Sequence, residues 1–207
     1  MITFDDFLAF DTETTGLSSS AEVIELGVAY YHRGVKVRSW NSFFCPVVSK
    51  KEDPNVQEAL KVNGIEWEWL LYNAYTFRKK VEEIEREMSE VIWVAHNADF
   101  DMRMLRQEFQ RLDRKPSFEP QFVFCTRFLD VYLSPNQPGY KLQDVCARWG
   151  VTQQGAHRAV VDAEACGQVF VNMLGSGRLP YDVGQAHSFV KTGEQQWKNR
   201  PRPRPQR

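Results

Sequence analysis

The chain has 207 residues and a hydrophobic fraction of 43%, which is enough to form the core of one domain of ordinary size. Its net charge of −1 excludes a nucleic-acid binder that depends on a large, uniform positive field. Four widely separated cysteines argue against a zinc ribbon or a disulfide framework, and the short apolar runs argue against a membrane span. The acidic N-terminus is unlike a secretory signal, so we expect a cytosolic protein with reduced cysteines and no membrane partner.

The N-terminal part of the chain predicts three β-strands. Val, Ile, Phe and Ala are frequent in Phe7–Asp11, Val23–Tyr31 and Val35–Phe44. The dipeptide Arg33-Gly34 separates the last two segments as a tight turn does, so we expect these two strands to form a hairpin.

Helical spacing follows these strands and then alternates with short apolar segments. Val56–Val62 and Phe77–Met88 predict helices that pack by one face. Val91–Ala95 is a short apolar run of the kind that forms a buried central strand. It leads into a helix predicted over Asp99–Arg111, and Phe122–Cys125 predicts a further strand.

The C-terminal part of the chain completes an α/β pattern. Leu142–Trp149 and Ala159–Leu174 predict helices, after which the helical pattern ends. The order of elements predicts an α/β fold with a central mixed β-sheet flanked by helices. We expect one domain over residues 1–176 and a basic Pro/Arg-rich tail over residues 177–207 that is disordered.

Two acidic residues lie at the end of the first predicted strand, in the segment FDTETTGL (residues 10–17). Asp11 and Glu13 are two positions apart on a strand, so their side chains leave the same face about 6.5 Å apart. Like charges so placed repel each other, and a bound cation relieves the repulsion. Oxygen ligands favour Mg²⁺ or Mn²⁺, and a carboxylate pair of this kind can span two ions about 3.5–4 Å apart. A solvated acidic pair is the alternative, so the neighbouring motifs decide between the two.

A second acidic segment, HNADFD (residues 96–101), lies where the predicted central strand ends and a helix begins. Ligand sites form at this position in open α/β sheets, although a capped helix start without chemistry gives the same pattern. Asp99 and Asp101 differ by about 200° in direction on a helix, so at most one points into a site and the other is expected to cap the helix. Helix geometry alone leaves the choice open. We interpret His96 as a hydrogen-bonded core histidine.

A third segment, HRAVVDAEA (residues 157–165), combines a histidine with an acidic residue. If both were helical, His157 and Asp162 would diverge by about 140°, so their convergence requires His157 to lie on the loop before the helix. Small residues such as Ala159 and Ala163 would let the start of this helix approach the sheet closely beside Asp162. A surface histidine is the alternative for His157.

These three segments, in this order and at these separations, resemble the motifs of the DnaQ-like superfamily of DEDD exonucleases, in the DEDDh branch, whose third motif contains His rather than Tyr. EVIELGVAYY, EALKVNGI and KLQDVCARWGV are also similar to stretches of bacterial DNA polymerase III proofreading (epsilon) subunits. The similarity extends over about residues 5 to 174. It implies an RNase H-like fold and the hydrolytic release of nucleoside 5′-monophosphates from a 3′ end.

The resemblance also implies a role for each motif residue. Asp11, Glu13 and Asp162 match the ligands of one divalent cation, and Asp11 with Asp101 matches the ligands of a second, so the resemblance selects Asp101 over Asp99. His157 matches the general base that accepts a proton from the attacking water, a role that suits an imidazole with a pKa near 6.5. The cofactors implied are two Mg²⁺ or Mn²⁺ ions.

The resemblance further implies that four residues of the first motif approach the terminal nucleotide: Thr14, Thr15, Gly16 and Leu17. It places Asn97 and Phe100, in the second motif, next to the substrate. Ordinary packing is the alternative for Leu17 and Phe100. The chain departs from the family where proofreading proteins usually have V-H-G-I, because it has Asn63 in place of that histidine. Asparagine keeps hydrogen bonding but loses a cation, which puts substrate affinity or preference there in doubt.

The sequence therefore predicts an exonuclease that acts on single-stranded or frayed DNA 3′ ends, either alone or as the proofreading partner of a DNA polymerase. A 3′→5′ exoribonuclease is the alternative within the same chemistry, because the motif residues do not distinguish the two sugars. A non-catalytic nucleic-acid-binding module is the alternative outside it. An intact set of four carboxylates and a histidine argues against the module, which would have no chemical need for them.

Overall fold

The computed structural model describes residues 2–153, 155 and 157–200. The strands are β1 (Asp6–Thr14), β2 (Val23–His32), β3 (Val35–Phe43), β4 (Ile92–Ala95) and β5 (Phe122–Cys125). The helices are α1 (Pro54–Asn63), α2 (Trp67–Asn73), α3 (Phe77–Glu87), α4 (Ala98–Arg111), α5 (Thr126–Leu133), α6 (Leu142–Arg148), α7 (Ala159–Gly175) and α8 (Val183–Lys198).

The five strands form one mixed sheet in the order β3-β2-β1-β4-β5. β1, β2 and β3 are antiparallel neighbours, whereas β4 runs parallel to both β1 and β5. Arg33 and Gly34 have φ angles of 49° and 77°, the positive values that a two-residue hairpin turn requires. The predicted α/β architecture with a central mixed sheet and the predicted β2–β3 hairpin are thus confirmed.

Three helices were not predicted from the sequence: α2, α5 and α8. The expectation of a disordered tail from residue 177 is wrong for α8, which packs on α5. A Cβ at Gly193 would lie 1.8 Å from the backbone oxygen of Phe128, so the two helices make backbone contact there. Residues 201–207, which include the Pro/Arg repeat, lie outside the described residues. Among the helices described, none is long and apolar enough to cross a membrane.

Side-chain alternation along β1 assigns its residues to the two faces of the sheet. Phe7 packs edge-on against Phe170 of α7 at 5.2 Å between ring centroids, whereas Phe10 packs against Trp93 at 5.3 Å. Phe7 and Phe10 therefore point to opposite faces. Asp11 and Glu13 are separated from Phe7 by even numbers of residues, so they share with it the face that α7 covers.

A glycine on β2 allows α7 to lie close to this face. A Cβ at Gly27 would lie 2.1 Å from the backbone nitrogen of Val160, in the first turn of α7. Gly27 pairs with Asp11 in the β1–β2 register, so the close approach occurs directly beside the first acidic residue. The absence of a side chain at one position in β2 thus determines how near the start of α7 comes to the end of β1.

We predict that Gly27→Ala lowers the free energy of unfolding by about 1–3 kcal/mol, because the added methyl group must displace the backbone of α7. Urea denaturation followed by circular dichroism measures the change. Gly175→Ala is the matched control, since a Cβ there has no neighbour within 4 Å, and we expect it to be neutral or slightly stabilising. Equal effects of the two substitutions would contradict the proposed close packing.

Candidate active site

Asp101 reaches β1 across an edge that β4 leaves open. β4 pairs with β1 only at Leu8 and Ala9, so the last residues of β1 have no strand on that side. One carboxylate oxygen of Asp101 accepts hydrogen bonds from the backbone nitrogen of Thr12 at 3.0 Å and from the Thr12 hydroxyl at 2.7 Å. Asp101 is 2% exposed, and these two hydrogen bonds hold it beside the pair of acidic residues on β1.

Asp99 is exposed, whereas Asp101 is buried. Of these two residues, Asp101 is the one that is hydrogen-bonded to β1 in the structure. The expected capping role of Asp99 is wrong, because the residue at the N-cap of α4 is Asn97, in a left-handed conformation with φ of 68° and without a side-chain capping bond. Asp99 lies instead in the first turn of the helix, where a negative charge is favourable.

Asp162 and His157 approach Glu13 from α7 and from the segment that precedes it. α7 begins at Ala159, so His157 lies before the helix as predicted, and its φ of 69° is a left-handed value that histidine adopts more often than most residues. One potential ligand atom from each of Glu13, His157 and Asp162 lies within 4.8 Å of the others. His157 is exposed, so its ring is open to solvent.

A fifth carboxylate, Glu25 on β2, lies opposite Glu13 in the strand register and is fully buried. It accepts hydrogen bonds at 3.3 Å from Nε and Nη2 of Arg158 and at 3.3 Å from the backbone nitrogen of Ala159. These contacts fix the start of α7 to the sheet immediately after His157. The sequence prediction missed Glu25, although an acidic residue within the otherwise apolar run of β2 was a visible signal.

Burial raises the pKa values of all four predicted carboxyl groups, and neighbouring carboxylates raise those of Asp11 and Glu13 further. The pKa of Asp11 is well above its usual range because of burial and then the charges of Asp101, Glu13 and Asp162. Burial, together with the charges of Asp162 and Glu25, raises the pKa of Glu13 to about 8. Burial also raises the pKa values of Asp101 and Asp162, and hydrogen bonds from Thr12 and Gln153, respectively, oppose these shifts. Protonation or a bound cation is therefore needed to relieve the repulsion.

A divalent cation fits this group of residues. The donors are carboxylate oxygens, which Mg²⁺ and Mn²⁺ prefer, and their number and burial match a site that concentrates negative charge. Asp11, Glu13, Asp101 and Asp162 are the residues that would hold such ions, and His157 is close enough to Glu13 and Asp162 to share their surroundings.

Two cavities flank the carboxylates. The first, of about 470 Å³, is termed here the Leu17 cavity. It is lined in part by Thr14, Gly16, Leu17 and Phe100, and the Leu17 side chain is 78% exposed at its rim. The second, of about 780 Å³, is termed the Arg127 cavity. Its lining includes Asp11, Asp162, Asn97, Arg127 and Trp197.

Two residues near the Leu17 cavity have structural contacts. Thr15 is 2% exposed, and its hydroxyl bonds to the backbone nitrogen of Glu22 at 2.9 Å and to Ser49 at 2.8 Å, so its side chain is turned away from the cavity. Asn63 donates to the backbone oxygen of Thr14 at 3.4 Å and accepts from the backbone nitrogen of Ile65 at 3.0 Å. Asn63 thus holds the first motif in place through the backbone of Thr14, and it also lines the Leu17 cavity.

Comparison with known proteins assigns the chain to a family. The exonuclease family RNase_T matches residues 8–170. The chain belongs to this family. The DNA polymerase III subunit epsilon of Treponema pallidum is 30% identical over 169 residues, which are 81% of this chain and 76% of that protein. The PolC-type DNA polymerase III of Oceanobacillus iheyensis is 33% identical over 171 residues, but these are 82% of this chain and only 11% of that much longer enzyme.

The fold is also that of a solved exonuclease. The nuclease domain of 3′hExo, a DEDDh family member bound to rAMP, superposes with a TM-score of 0.68 at 17% identity, covering 84% of this chain and 93% of that domain. The chain thus has the RNase H-like exonuclease fold that the sequence predicted. DEDDh exonucleases generally use divalent metal ions, which agrees with the carboxylate chemistry at the end of β1.

We predict that, in EDTA, the free energy of unfolding falls as pH rises between about 5 and 8. Glu13 has a higher pKa in the folded chain than in the unfolded chain, so the folded state binds more protons in this window and loses stability as they dissociate. Adding Mg²⁺ or Mn²⁺ should reverse the loss and raise the melting temperature more at pH 8 than at pH 5. Differential scanning fluorimetry over this pH range measures both effects.

The matched control compares two aspartates. Asp162→Asn should greatly reduce the metal-dependent rise in melting temperature, whereas Asp99→Asn should keep it, because Asp99 is an exposed carboxylate outside the cluster. Equal metal-dependent stabilisation of both variants would argue against ion binding by the cluster.

Proposed function

We propose that this protein is a metal-dependent 3′→5′ exonuclease that releases nucleoside 5′-monophosphates from DNA 3′ ends. The observation that carries the proposal is the convergence of Asp11, Glu13, Asp101 and Asp162 at the end of β1, with a ring nitrogen of His157 beside Glu13 and Asp162. Such a concentration of buried and half-buried carboxylates is costly to the fold, and the hydrolysis of a phosphodiester is a reaction that requires it.

The carboxylates would bind two divalent cations, Mg²⁺ or Mn²⁺. Asp11, Glu13 and Asp162 would hold one ion, and Asp11 with Asp101 would hold the other. When bound, the cations lower the pKa of the attacking water and stabilise negative charge on the leaving 3′ oxygen. The hydrogen bonds from Thr12 keep the Asp101 carboxylate oriented towards this position.

His157 would act as the general base. Its ring is exposed, so it can accept a proton from the attacking water and pass it to solvent. The bonds from Arg158 and from the backbone of Ala159 to Glu25 anchor the chain directly after it, which limits how far the imidazole can move from the carboxylates. Glu25 and Arg158 are therefore positioning residues in this proposal.

The Leu17 cavity would receive the terminal nucleotide. Leu17 and Phe100 offer apolar surfaces on which a base can pack, and Thr14 and Gly16 offer backbone groups to the sugar. Asn97 lines the Arg127 cavity, on the other side of the carboxylates. Thr15 would contribute only through its backbone, because its hydroxyl is already bonded to Glu22 and Ser49.

We further propose that the substrate is single-stranded or frayed DNA and that a DNA polymerase is a partner in the cytosol. The support is that the relatives named above are a polymerase III subunit and a polymerase III. The catalytic domain would comprise residues 1–176, with α8 as an addition to it. RNA 3′ ends are the alternative substrate, since the carboxylates and His157 would act on the phosphodiester and not on the 2′ position.

The decisive assay offers single-stranded DNA, 3′-recessed duplex DNA and single-stranded RNA of equal length, each labelled at the 5′ end. We predict shortening from the 3′ end with Mg²⁺ or Mn²⁺ and no shortening in EDTA, with DNA cut faster than RNA. The converse ranking would assign the protein to RNA. If folded protein shortens none of them, the exonuclease proposal fails and a binding module remains.

Point variants in the same assay test the roles of the site residues. His157→Ala should lower turnover by about 10²–10⁴-fold, the usual contribution of a general base, without changing the melting temperature. His32→Ala is the matched control, because His32 is exposed and its partner Asp6 lies outside the carboxylate cluster. Full activity of His157→Ala would remove His157 from the mechanism.

A further inference from the structure

Arg127, in the first turn of α5, lines the Arg127 cavity and forms no ion pair with a carboxylate of the described residues. Its Nε is buried and has no hydrogen-bond partner among the described residues. The ion pairs found within residues 2–153, 155 and 157–200 do not include it either. A buried donor without an acceptor is costly, and the terminal nitrogens of the same guanidinium can donate hydrogen bonds to an anion that enters the cavity.

The charge of Arg127 acts directly on residues around the active site. His96 donates to the backbone oxygen of Tyr140 at 3.0 Å and is hydrogen-bonded to Thr126 at 3.0 Å, as predicted, but it is half-buried at the wall of the Arg127 cavity rather than in the core. Its pKa is lowered to about 4 by burial and then by the charge of Arg127. The same charge lowers the pKa of Asp101 against the stronger effect of burial. Arg127 therefore lies within electrostatic range of the carboxylates without being paired to them.

α8 contributes an aromatic ring next to this cation. The guanidinium carbon of Arg127 lies 5.0 Å from the centre of the Trp197 ring, and Trp197 is half-buried at the wall of the cavity. A second guanidinium, that of Arg200, lies 5.4 Å from the same ring. α8 lies beyond residues 8–170, which match the exonuclease family, so this wall is an addition to the family's common core.

We propose that the Arg127 cavity binds the nucleic-acid strand on the 5′ side of the scissile phosphate, with Arg127 bonded to a backbone phosphate and Trp197 stacked on a base. This inference rests on the proposed exonuclease function. The carboxylates separate the two cavities, so a terminal nucleotide in the Leu17 cavity directs the rest of its strand into the Arg127 cavity. Lys141 also lines the latter and adds a second cation along the same path.

Activity on two different substrates distinguishes the role of the Leu17 cavity from that of the Arg127 cavity. A 5′-labelled single-stranded oligothymidylate occupies both, whereas the p-nitrophenyl ester of thymidine 5′-monophosphate carries one nucleoside and no upstream strand. We expect Arg127→Met to lower kcat/KM for the oligonucleotide about tenfold, the usual cost of a lost charged hydrogen bond. We expect kcat/KM for the ester to stay within about twofold of the wild-type value.

Binding in EDTA supplies a readout that does not depend on turnover. Fluorescence anisotropy of the labelled oligonucleotide should show about tenfold weaker binding by Arg127→Met and a slope of log Kd against log salt that is smaller by about 0.7, the value for one lost phosphate contact on a single strand. Arg127→Lys should keep the salt slope of the wild type, because lysine retains the positive charge. This variant still tests the proposal if Arg127→Met fails to fold. Arg78→Met is the control, since Arg78 is exposed and lines neither cavity.

The stacking role of Trp197 has its own pair of variants. Trp197→Ala should weaken oligonucleotide binding about tenfold, within the range for loss of one base stack, whereas Trp69→Ala should not, because Trp69 packs on Phe43 away from both cavities.

Two results would overturn the proposal. One is oligonucleotide binding with an unchanged salt slope in Arg127→Met. The other is an equal loss of activity on the oligonucleotide and the ester, which would mean that Arg127 acts through the carboxylates. If wild-type protein hydrolyses neither substrate, the proposed exonuclease function fails, and the binding measurements still decide the role of Arg127.

Discussion

Four carboxyl groups share one end of the central sheet, and their mutual repulsion is the constraint on which the site depends. Asp11 and Glu13 lie on the α7 face of β1, Asp101 is buried against the strand edge, and Asp162 completes the group from α7. Burial and like charges raise the pKa of Glu13 to about 8, so the fold without cations holds these groups partly protonated. A divalent cation offsets this repulsion, because each carboxylate is then attracted to the positive charge between them. Ion binding by these carboxylates would therefore be linked to the stability of the fold.

The backbone brings these groups together through two local features. β4 ends early, which leaves the donors of Thr12 free for Asp101. Gly27 lacks a side chain, which lets the first turn of α7 lie against β2 and carry Asp162 towards β1. Glu25 then fixes the start of the helix through Arg158. Each feature acts on one strand or one helix end, so the position of the site follows from where β4 stops and where α7 begins.

Much of this arrangement could be predicted from the sequence, because strand alternation and motif spacing depend on residues that are close together in the chain. The faces of Asp11 and Glu13, the loop position of His157 and the β2–β3 hairpin are as predicted. The choice of Asp101 over Asp99 needed the family resemblance, since helix geometry excludes one of them without saying which. The remaining features could not be predicted, because they depend on tertiary contacts between residues that are distant in the sequence. α8 carries too little local signal to separate it from a tail, and it is held by contact with α5. Thr15 and Glu25 have partners distant in sequence, which no spacing rule predicts.

Calorimetric titration of the full chain with Mn²⁺ tests the central claim most directly. Titrations at about pH 7 in two buffers of different ionisation enthalpy give both the number of ions bound and the number of protons released. If the carboxylates bind cations together, about two ions should bind per chain, and protons should be released because the pKa values of Asp11, Glu13 and Asp101 are raised in the cluster without cations. Asp11→Asn should reduce the ions bound. Absence of binding, or binding that releases no proton and is unaffected by Asp11→Asn, would contradict the account.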